Sequence, residues 1–542
     1  MAKTLKSAIE FKLPNPLEYR LTNPNYTIYH RAALGGLAAT IRAWGKEPPE
    51  GISAKLDRGR ILLRWNTALS DQEFVRRLIG ASFKLSDTKM IELPGQRIGP
   101  DREDLQLAIH NGITATFLQH PKMRPGEKEA RRFELKTADQ ETGNFFTYKA
   151  LNAYAHQRAQ KTGLLEEKLD GHLPPVAAIQ QWTVPGATGG AADLQAPTDE
   201  VILLMFLMVG SAIFLLRPRT FQEKAQSCVI IPDVIDLVAF SRAIERLASS
   251  GQDLKRFSNT YLDRVVGGSE EAALRFLIDL QAEGVSSEKS VAGCIVVAMG
   301  KVAWDANQVN RSMIAKVRSD YQELDVFRAA YQHLGNTKII KGKKGDDYAV
   351  PSSPVPELVA ANLAAERHWC ANFRSLVSEK KDFQRMLFAR GGLRAMQDSV
   401  KDAEDQAVIR AFQDAWKHKM GSLGERARGE GLDFSRLVEV ERERTRNDIL
   451  RTKTSEMLAS WFMRFCADAT RGGSLAALRD NSELLRKFIF NSRNFDRFQN
   501  LCLFALVSYT GKELDLQQEG QNNHGNKLSL RNGPHRGSRG RE

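Results

Sequence analysis

The sequence predicts an α+β protein, with a mixed α/β N-terminal region followed by a C-terminal all-helical bundle. Strand-like and helix-like stretches alternate over residues 1–337, whereas apolar residues over 357–509 recur almost throughout at helical spacing. A basic, Gly-punctuated stretch at 338–347 (KIIKGKKGDD), followed by three prolines, separates the two parts. Because 542 residues are too many for one compact core, several units are expected.

Local patterns near the N-terminus predict the first elements. Apolar residues at helical spacing over 26–44 indicate an amphipathic helix. Residues 52–56 and 60–64 flank a short turn and predict a hairpin. Ser70 and Glu73 have the spacing of a capping box, so another helix is predicted to begin there.

An uncharged apolar segment, VILLMFLMVGSAIFLL at 201–216, follows a Gly-, Ala- and Pro-rich linker at 185–199. Its 16 residues fall short of the roughly 20 that a bilayer-spanning helix needs. A buried strand or core helix is therefore predicted. The basic pair Arg217 and Arg219 leaves a membrane-surface protein, using residues 201–219, as an alternative.

The second mixed region carries two apolar strand patterns, at 228–231 and 294–299, and two helical patterns, at 233–247 and 269–283. In the helical part, three apolar faces predict a bundle. They comprise Leu393, Met396, Val400, Ala403, Ala407 and Ala411; Leu450, Met457, Leu458, Trp461 and Phe465; and Phe488, Phe495, Phe498 and Leu501. The predicted divisions are 1–184, 185–355, 356–510 and a polar, disordered tail at 511–542.

The charge balance favours a polyanionic partner. Lys plus Arg number 78 against 65 Asp plus Glu, a formal net charge of +13, and residues 1–150 alone hold 24 basic against 17 acidic side chains. A basic soluble protein without such a partner is the alternative. Five scattered cysteines without a CxxC pair indicate neither a zinc site nor a disulfide framework, and no secretory signal is present, so a cytoplasmic location is expected.

The motifs of common catalytic centres are missing. The ten histidines form no HExxH or H-x-H pair, and the chain contains neither a GxxxxGK[ST] phosphate loop nor a GxSxG elbow. Gly35 and Gly36 lie inside the first helical pattern, where close packing is a better explanation than phosphate contact. We therefore predict no catalytic residues, no metal and no cofactor.

Two basic stretches are the candidate DNA-binding sites. The first lies between Asn111 and Lys149, where cations close to Pro121 and Pro125 could contact phosphates or form a plain solvated loop. The second is the Gly-spaced stretch after residue 337, which could follow a backbone without reading bases or be a linker. The candidate DNA-binding residues, chosen by their chemistry, are Asn25, Asn111, Lys122, Arg124, Lys128, Arg131, Arg132, Lys341, Lys343 and Lys344.

Two segments resemble a known family. NPNYT at 23–27, with YHRAALGGLAAT at 29–40, resembles the opening of the MYXAN-subtype large subunit of type I-B CRISPR Cascade effector complexes, and VIIPDVIDL at 229–237 is similar to a later part of it. The resemblance implies a non-catalytic subunit that recognises the protospacer-adjacent motif, helps to open the duplex and recruits effector machinery.

The same resemblance implies partners and a possible second product. The expected partners are guide RNA, target DNA, the backbone, end-capping and small subunits of Cascade, and a helicase-nuclease or transposition machinery. The helical bundle resembles a small subunit, and Met386 and Met396 are both candidate internal starts for one. A stand-alone nucleic-acid-processing enzyme remains the competing hypothesis, beside the membrane-surface protein.

Overall fold

The structure is a computed structural model that describes residues 11–99, 102–135, 144–159, 162–186, 194–216, 226–249, 265–282, 289–300, 311–340, 348–469 and 475–511. The chain forms two compact units. The first comprises Met1–Gln322 and Gly335–Glu366, and the second comprises Glu323–Leu334 and Arg367–Glu542. The first unit mixes strands and helices, whereas the described part of the second is helical, so the predicted α+β class is confirmed.

The described strands are β1 (Leu17–Arg20), β2 (Ile52–Leu56), β3 (Arg60–Trp65), β4 (Lys84–Leu85), β5 (Ile91–Glu92), β6 (Arg131–Leu135), β7 (Asn144–Tyr148), β8 (Val176–Ala178), β9 (Gln195–Pro197), β10 (Ala212–Leu216), β11 (Gln226–Val234), β12 (Val265–Val266), β13 (Val291–Met299), β14 (Arg311–Arg318), β15 (Thr337–Ile340) and β16 (Tyr348–Pro351). All of them belong to the first unit.

The described helices are α1 (Ile28–Trp44), α2 (Asp71–Ser82), α3 (Glu103–Thr114), α4 (Ala155–Arg158), α5 (Thr198–Leu204), α6 (Leu207–Gly210), α7 (Leu237–Ser249), α8 (Ser269–Ala282), α9 (Leu324–Leu334), α10 (Val355–Ala364), α11 (Lys380–Phe388), α12 (Arg390–Asp398), α13 (Ala403–Glu430), α14 (Phe434–Arg451), α15 (Ser455–Ala469), α16 (Ala476–Asp480), α17 (Ser482–Ile489) and α18 (Phe495–Ser508). Helices α9 and α11 to α18 belong to the second unit.

A five-stranded sheet in the order β12-β10-β11-β13-β14 forms the core of the first unit. The central strand β11 is fully buried from Cys228 to Ile231, as a continuous apolar run predicts. The predicted strands at 228–231 and 294–299 are therefore confirmed. The next helix begins at Leu237, later than predicted, because β11 continues to Val234 and the Asp236 carboxylate accepts from the Ala239 amide at its start.

Helices α1 and α6 touch through glycines. A Cβ atom on Gly36 would overlap the Phe206 carbonyl oxygen, and one on Gly210 would overlap the Ala32 carbonyl oxygen. Only glycine lets the two backbones approach this closely. The prediction that the Gly35-Gly36 pair serves close packing is confirmed. Ser70 likewise caps α2 as predicted, its hydroxyl accepting from the Glu73 amide.

The apolar segment 201–216 is interior. It forms most of α5, all of α6 and the strand β10, and every residue in it except Leu215 is buried. The prediction of a buried strand or core helix is confirmed, since the segment supplies both. Within the described ranges, no helix is long and apolar enough to cross a membrane. Arg217 and Arg219 lie outside the described residues.

The second unit packs around α13. Phe412 and Trp416 on this helix are fully buried, and Phe412 stacks on Phe465 of α15 with ring centroids 5.0 Å apart. The first predicted face divides between α12 and α13 because the Asp402 carboxylate caps α13 by accepting from the Asp405 amide. The second face is partly wrong, since Met457 is 49% exposed.

Candidate nucleic-acid interface

The predicted basic loop of the first unit is largely a hairpin. We use the name basic hairpin for residues 121–135 and 144–148. It begins with the 3-10 turn Pro121–Met123 and continues into β6, which pairs antiparallel with β7. The interpretation as a loop is only partly correct, because Asn111 lies on α3 and Arg131 and Arg132 lie on β6. Phe133 packs inward on a buried cluster that includes Phe146 and Tyr148, so the hairpin rests on a fixed apolar base.

Arg131 is held by an ion-pair network. Its Nη2 lies 2.7 Å from Glu127 Oε1 and its Nε 3.0 Å from Glu127 Oε2, while Lys89 Nζ lies 3.0 Å from the same carboxylate. Hydrogen bonds from Arg131 and then from Lys89 lower the pKa of Glu127 below its ordinary value. The Arg131 Nη1 also approaches the Thr88 carbonyl oxygen at 3.4 Å. The network ties the hairpin to the β4–β5 turn.

Arg124 and Arg132 have different surroundings. Arg124 Nε donates to the Leu118 carbonyl oxygen at 2.7 Å, and burial lowers the pKa of its guanidinium. The side chain of Arg124 therefore supports the base of the hairpin. Arg132 is exposed, and its guanidinium carbon lies 3.7 Å from the Phe145 ring centroid, a stacked cation–π geometry. That ring fixes the orientation of the guanidinium plane.

Lys122 and Lys128 are the least constrained cations of the basic hairpin. Both are exposed, and neither ammonium has an ion-pair partner among the residues that the structure describes. Lysine is a compact point charge that binds phosphate without fixed geometry. The hairpin therefore presents two adaptable cations beside the oriented guanidinium of Arg132.

Asn111 lies beneath the hairpin and not on its surface. It is 8% exposed, and its Nδ2 donates to the Thr147 carbonyl oxygen of β7 at 3.1 Å. One helical residue earlier, His110 accepts from the Ile91 amide at 3.1 Å and lies 2.9 Å from the Lys149 carbonyl oxygen. Burial lowers the pKa of His110 to about 4. Both side chains join α3 to the strands around it.

The remaining candidates of the first unit lie elsewhere. Asn25 is exposed at the turn before α1, where its own amide donates to Asn23 Oδ1 at 3.0 Å. Lys341, Lys343 and Lys344 lie outside the described residues. The strands on either side of that stretch, β15 and β16, pair antiparallel.

In the second unit, both candidate internal starts are core residues. Met386 is 3% exposed within α11, and Met396 is fully buried within α12. Helix α11 ends at Phe388 and α12 begins at Arg390, so the chain is interrupted at Ala389, between the two methionines.

Sequence reasoning missed two exposed aromatic residues and one lysine. Phe388 is 90% exposed at the end of α11, and Phe490 is 66% exposed just after α17. Lys89, which ties the β4–β5 turn to Glu127, adopts a left-handed conformation with φ of 61°. No sequence signal marks it, because Lys seldom adopts that conformation.

Among the described residues, no group of three or more His, Cys, Asp or Glu side chains is arranged to hold a metal ion.

Comparison with known proteins agrees with this two-part architecture. Residues 18–205 match the DevT N-terminal domain, and residues 397–530 match the DevT C-terminal domain. The first match includes the basic hairpin, and the second begins one residue after Met396. The CRISPR-associated protein Cas8a1/Csx13 of Myxococcus xanthus (strain DK1622) is 26% identical, over 92% of this chain and 90% of that protein. This chain is therefore a homologue of a CRISPR-associated protein, and it matches both the N-terminal and the C-terminal domain of the DevT family.

Proposed function

We propose that this chain is the large subunit of an RNA-guided type I-B CRISPR effector complex. In this role it recognises the protospacer-adjacent motif in double-stranded DNA, helps to open the duplex for guide pairing and recruits a helicase-nuclease or transposition machinery. The observation that carries the proposal is the basic hairpin, a group of cations on a fixed apolar base within the residues that match the DevT N-terminal domain. Homology to a CRISPR-associated protein supports the RNA-guided setting.

The proposed DNA contacts divide into two kinds. Lys122 and Lys128 contact phosphates, which positions the protein on the duplex without reading its sequence. Arg132 is the proposed reader of the motif, because an oriented guanidinium suits a bidentate hydrogen bond to guanine in the major groove. Exposed Asn25 is a second candidate reader, since an asparagine amide pairs with adenine. Arg124, Arg131 and Asn111 keep the hairpin in place.

The proposal includes further parts that rest on the resemblance. The complex contains guide RNA and the backbone, end-capping and small subunits, and it acts in the cytoplasm. The large subunit performs no catalysis itself. A separate small subunit starts at Met386 or Met396. The start of the DevT C-terminal match at residue 397 lies nearest to Met396. The basic stretch with Lys341, Lys343 and Lys344 contributes additional backbone contacts.

The test reconstitutes the complex from this chain, its companion subunits and a guide RNA. Target duplexes that differ only in the bases next to the guide-matched sequence are then compared by electrophoretic mobility shift. We expect a preference for one motif of tenfold or more. Arg132→Gln should remove most of that preference, because each good bidentate contact contributes about 1–3 kcal/mol of discrimination.

A pair of charge-matched variants separates the two kinds of contact. Lys122→Gln with Lys128→Gln should weaken binding to every motif by a similar factor. Lys12→Gln with Lys46→Gln removes the same charge from two other exposed positions of the first unit and should leave binding nearly unchanged. A complex that assembles with guide RNA yet binds all motifs equally well would contradict the proposed recognition role.

A further inference from the structure

The first unit contains a cavity of about 570 Å³ between the end of α1, the β4–β5 turn, β5 and α3. This volume lies in the range of small-ligand sites, roughly 300–1,000 Å³. The basic hairpin contributes no residue to its wall, so the cavity is distinct from the proposed DNA contacts. The wall residues that matter here are Asp87, Glu92, Gln96, Arg97, Ile98 and Glu103.

Negative charge dominates the wall, in contrast to the net charge of +13 on the whole chain. Asp87, Glu92 and Glu103 are exposed, and none of these carboxylates has an ion-pair partner in the part of the chain that the structure describes. Arg97 is the cation of the wall, and its Nη1 lies 3.1 Å from Glu245 Oε1 of α7. The cavity therefore offers three carboxylates to a cationic ligand, and we call it the acidic cavity.

Gln96 adds an uncharged acceptor to the acidic cavity. This side chain is only 4% exposed, and its Oε1 has no hydrogen-bond partner among the described residues. A buried amide oxygen without a partner destabilises the folded chain, and such groups are rare in proteins. Its place in the wall of a cavity indicates a ligand that donates hydrogen bonds.

Contacts within the first unit hold the wall in place. The β4–β5 turn is closed by the Lys89 amide, which donates to the Ser86 carbonyl oxygen at 2.8 Å. The 3-10 turn Pro94–Gln96 rests on α1, where a Cβ atom on Gly95 would overlap Thr40 Oγ1. Because these turns are fixed, a ligand binds without ordering the wall first, which favours binding.

The composition of the wall indicates a cation on an aliphatic stem. Within the described ranges, no three acidic, His or Cys side chains converge on one metal site. Apolar side chains also line the cavity, among them Leu85, Ile91, Leu93, Ile98 and Ile109. Both lysine and arginine can bury an apolar stem while the charged head remains at polar groups. A guanidinium suits separate acceptors better than a compact ammonium does, because its donors form a planar fork.

We propose that the acidic cavity binds an arginine side chain of a companion protein subunit, with the guanidinium among Glu92, Gln96 and Glu103. A protein is favoured over a free cation because the carboxylates at the rim are exposed and can contact further parts of a partner chain. Arginine is enriched among the residues that anchor protein interfaces in pockets. The inference rests on the proposed function only in requiring companion subunits.

The first test titrates the full chain with the peptide acetyl-Gly-Arg-Gly-amide and measures Kd by isothermal titration calorimetry. Glu92→Gln with Glu103→Gln should weaken binding about tenfold or more, because each variant loses a charge-assisted hydrogen bond. The matched control is Glu50→Gln with Glu167→Gln, which removes equal charge from two exposed residues of the first unit outside the cavity. Equal Kd values for the two double variants, or no binding by the unaltered chain, would overturn the assignment.

The second test addresses the guanidinium. A peptide with citrulline, which has nearly the shape of arginine but no charge, should bind about tenfold more weakly or not at all. Gln96→Met should lower the preference for arginine over lysine, and it should leave the fold intact because Gln96 Oε1 has no partner to lose. Equal binding of the arginine and citrulline peptides would refute the site, and an unchanged preference in Gln96→Met would refute the role of Gln96.

The third test identifies the source of the guanidinium. Purified companion subunits are bound one at a time to the immobilised full chain, with agmatine as a free guanidinium competitor. One subunit should bind the Glu92→Gln and Glu103→Gln variant about tenfold more weakly, and agmatine should displace it from the unaltered chain. If agmatine binds the cavity but every subunit binds both chains equally well, the ligand is a free cation and the proposed partner is wrong.

A comparison with duplex DNA keeps the two proposals apart. Lys122→Gln with Lys128→Gln should weaken duplex binding by the chain and leave peptide binding unchanged. The Glu92 and Glu103 variant should weaken peptide binding without weakening duplex binding. Loss of the first effect alone contradicts the proposed function, and loss of the second alone contradicts the arginine site.

Discussion

Replacement of Arg497 by methionine should strongly destabilise the second unit. The side chain of Asp405 is fully buried and accepts from Arg497 Nε at 2.9 Å, from Trp369 Nε1 at 2.8 Å and from His368 Nε2 at 2.8 Å. Arg497 also bonds Asp402, which caps α13. The guanidinium therefore joins α18 to the start of α13.

The expected loss in the free energy of unfolding follows from the burial of the Asp405 carboxylate. Removing Arg497 leaves the Asp405 carboxylate buried without its fixed cation, and breaking a buried pair from one side costs about 3–5 kcal/mol. Because the Arg497 side chain is 22% exposed, we expect the lower end of that range, about 3 kcal/mol. Burial alone would raise the pKa of Asp405, but the hydrogen bond from His368 and the charge of Arg497 lower it overall. The ionised Asp405 carboxylate therefore stabilises the second unit above the ordinary Asp pKa, and this stabilisation is lost as the pH falls through the lowered pKa of Asp405.

The assay is hydrogen exchange of peptides from α13 and α18, together with urea unfolding of the whole chain. Arg426→Met is the matched control, since it removes an exposed i,i+4 pair with Glu430 that contributes about 0.3–0.5 kcal/mol. Equal protection in the two variants would refute the reasoning. Asp405→Asn added to Arg497→Met should recover part of the loss, because it removes the uncompensated charge.

Three further predictions concern both units. Burial lowers the pKa of His110 from 6.5 to about 4, so the unfolded state alone gains this proton as the pH falls below 6.5. The free energy of unfolding should therefore drop by about 2 kcal/mol between pH 7 and 5. In urea titrations, His110→Gln should reduce this pH dependence. Gly36→Ala should lower the melting temperature, since its Cβ meets backbone, whereas Gly80→Ala, also helical but facing open space, should raise stability by about 0.5–1 kcal/mol. Met386→Leu or Met396→Leu should abolish a short C-terminal product, which is detected through a C-terminal tag. If this product persists in both variants, neither residue is an internal start.

The sequence predicted those helices and strands whose apolar pattern lies within one short segment. The helix over 26–44 and the strands at 228–231 and 294–299 were recognisable because a single period of apolar residues specifies each of them. Residues 201–216 were correctly expected to be buried, yet the sequence did not show that this segment packs on α1 through the contact between Gly36 and Gly210. A partner so distant in sequence leaves no local signal.

The candidate site was less predictable. Charge density drew attention to residues 122–132, but it could not distinguish exposed Lys122 from Arg124, whose guanidinium donates to a backbone carbonyl. Asn111 has suitable chemistry for DNA, although its amide holds β7.

The central claim is that the positively charged side chains of the basic hairpin bind the phosphates of the DNA backbone. It is tested most directly by the salt dependence of duplex binding by the assembled complex. Replacing Lys122 and Lys128 by glutamine should reduce the slope of log K against log salt by about 1.8, or about 0.9 for each phosphate contact on duplex DNA. An unchanged slope in the double variant, with the complex intact, would contradict the claim.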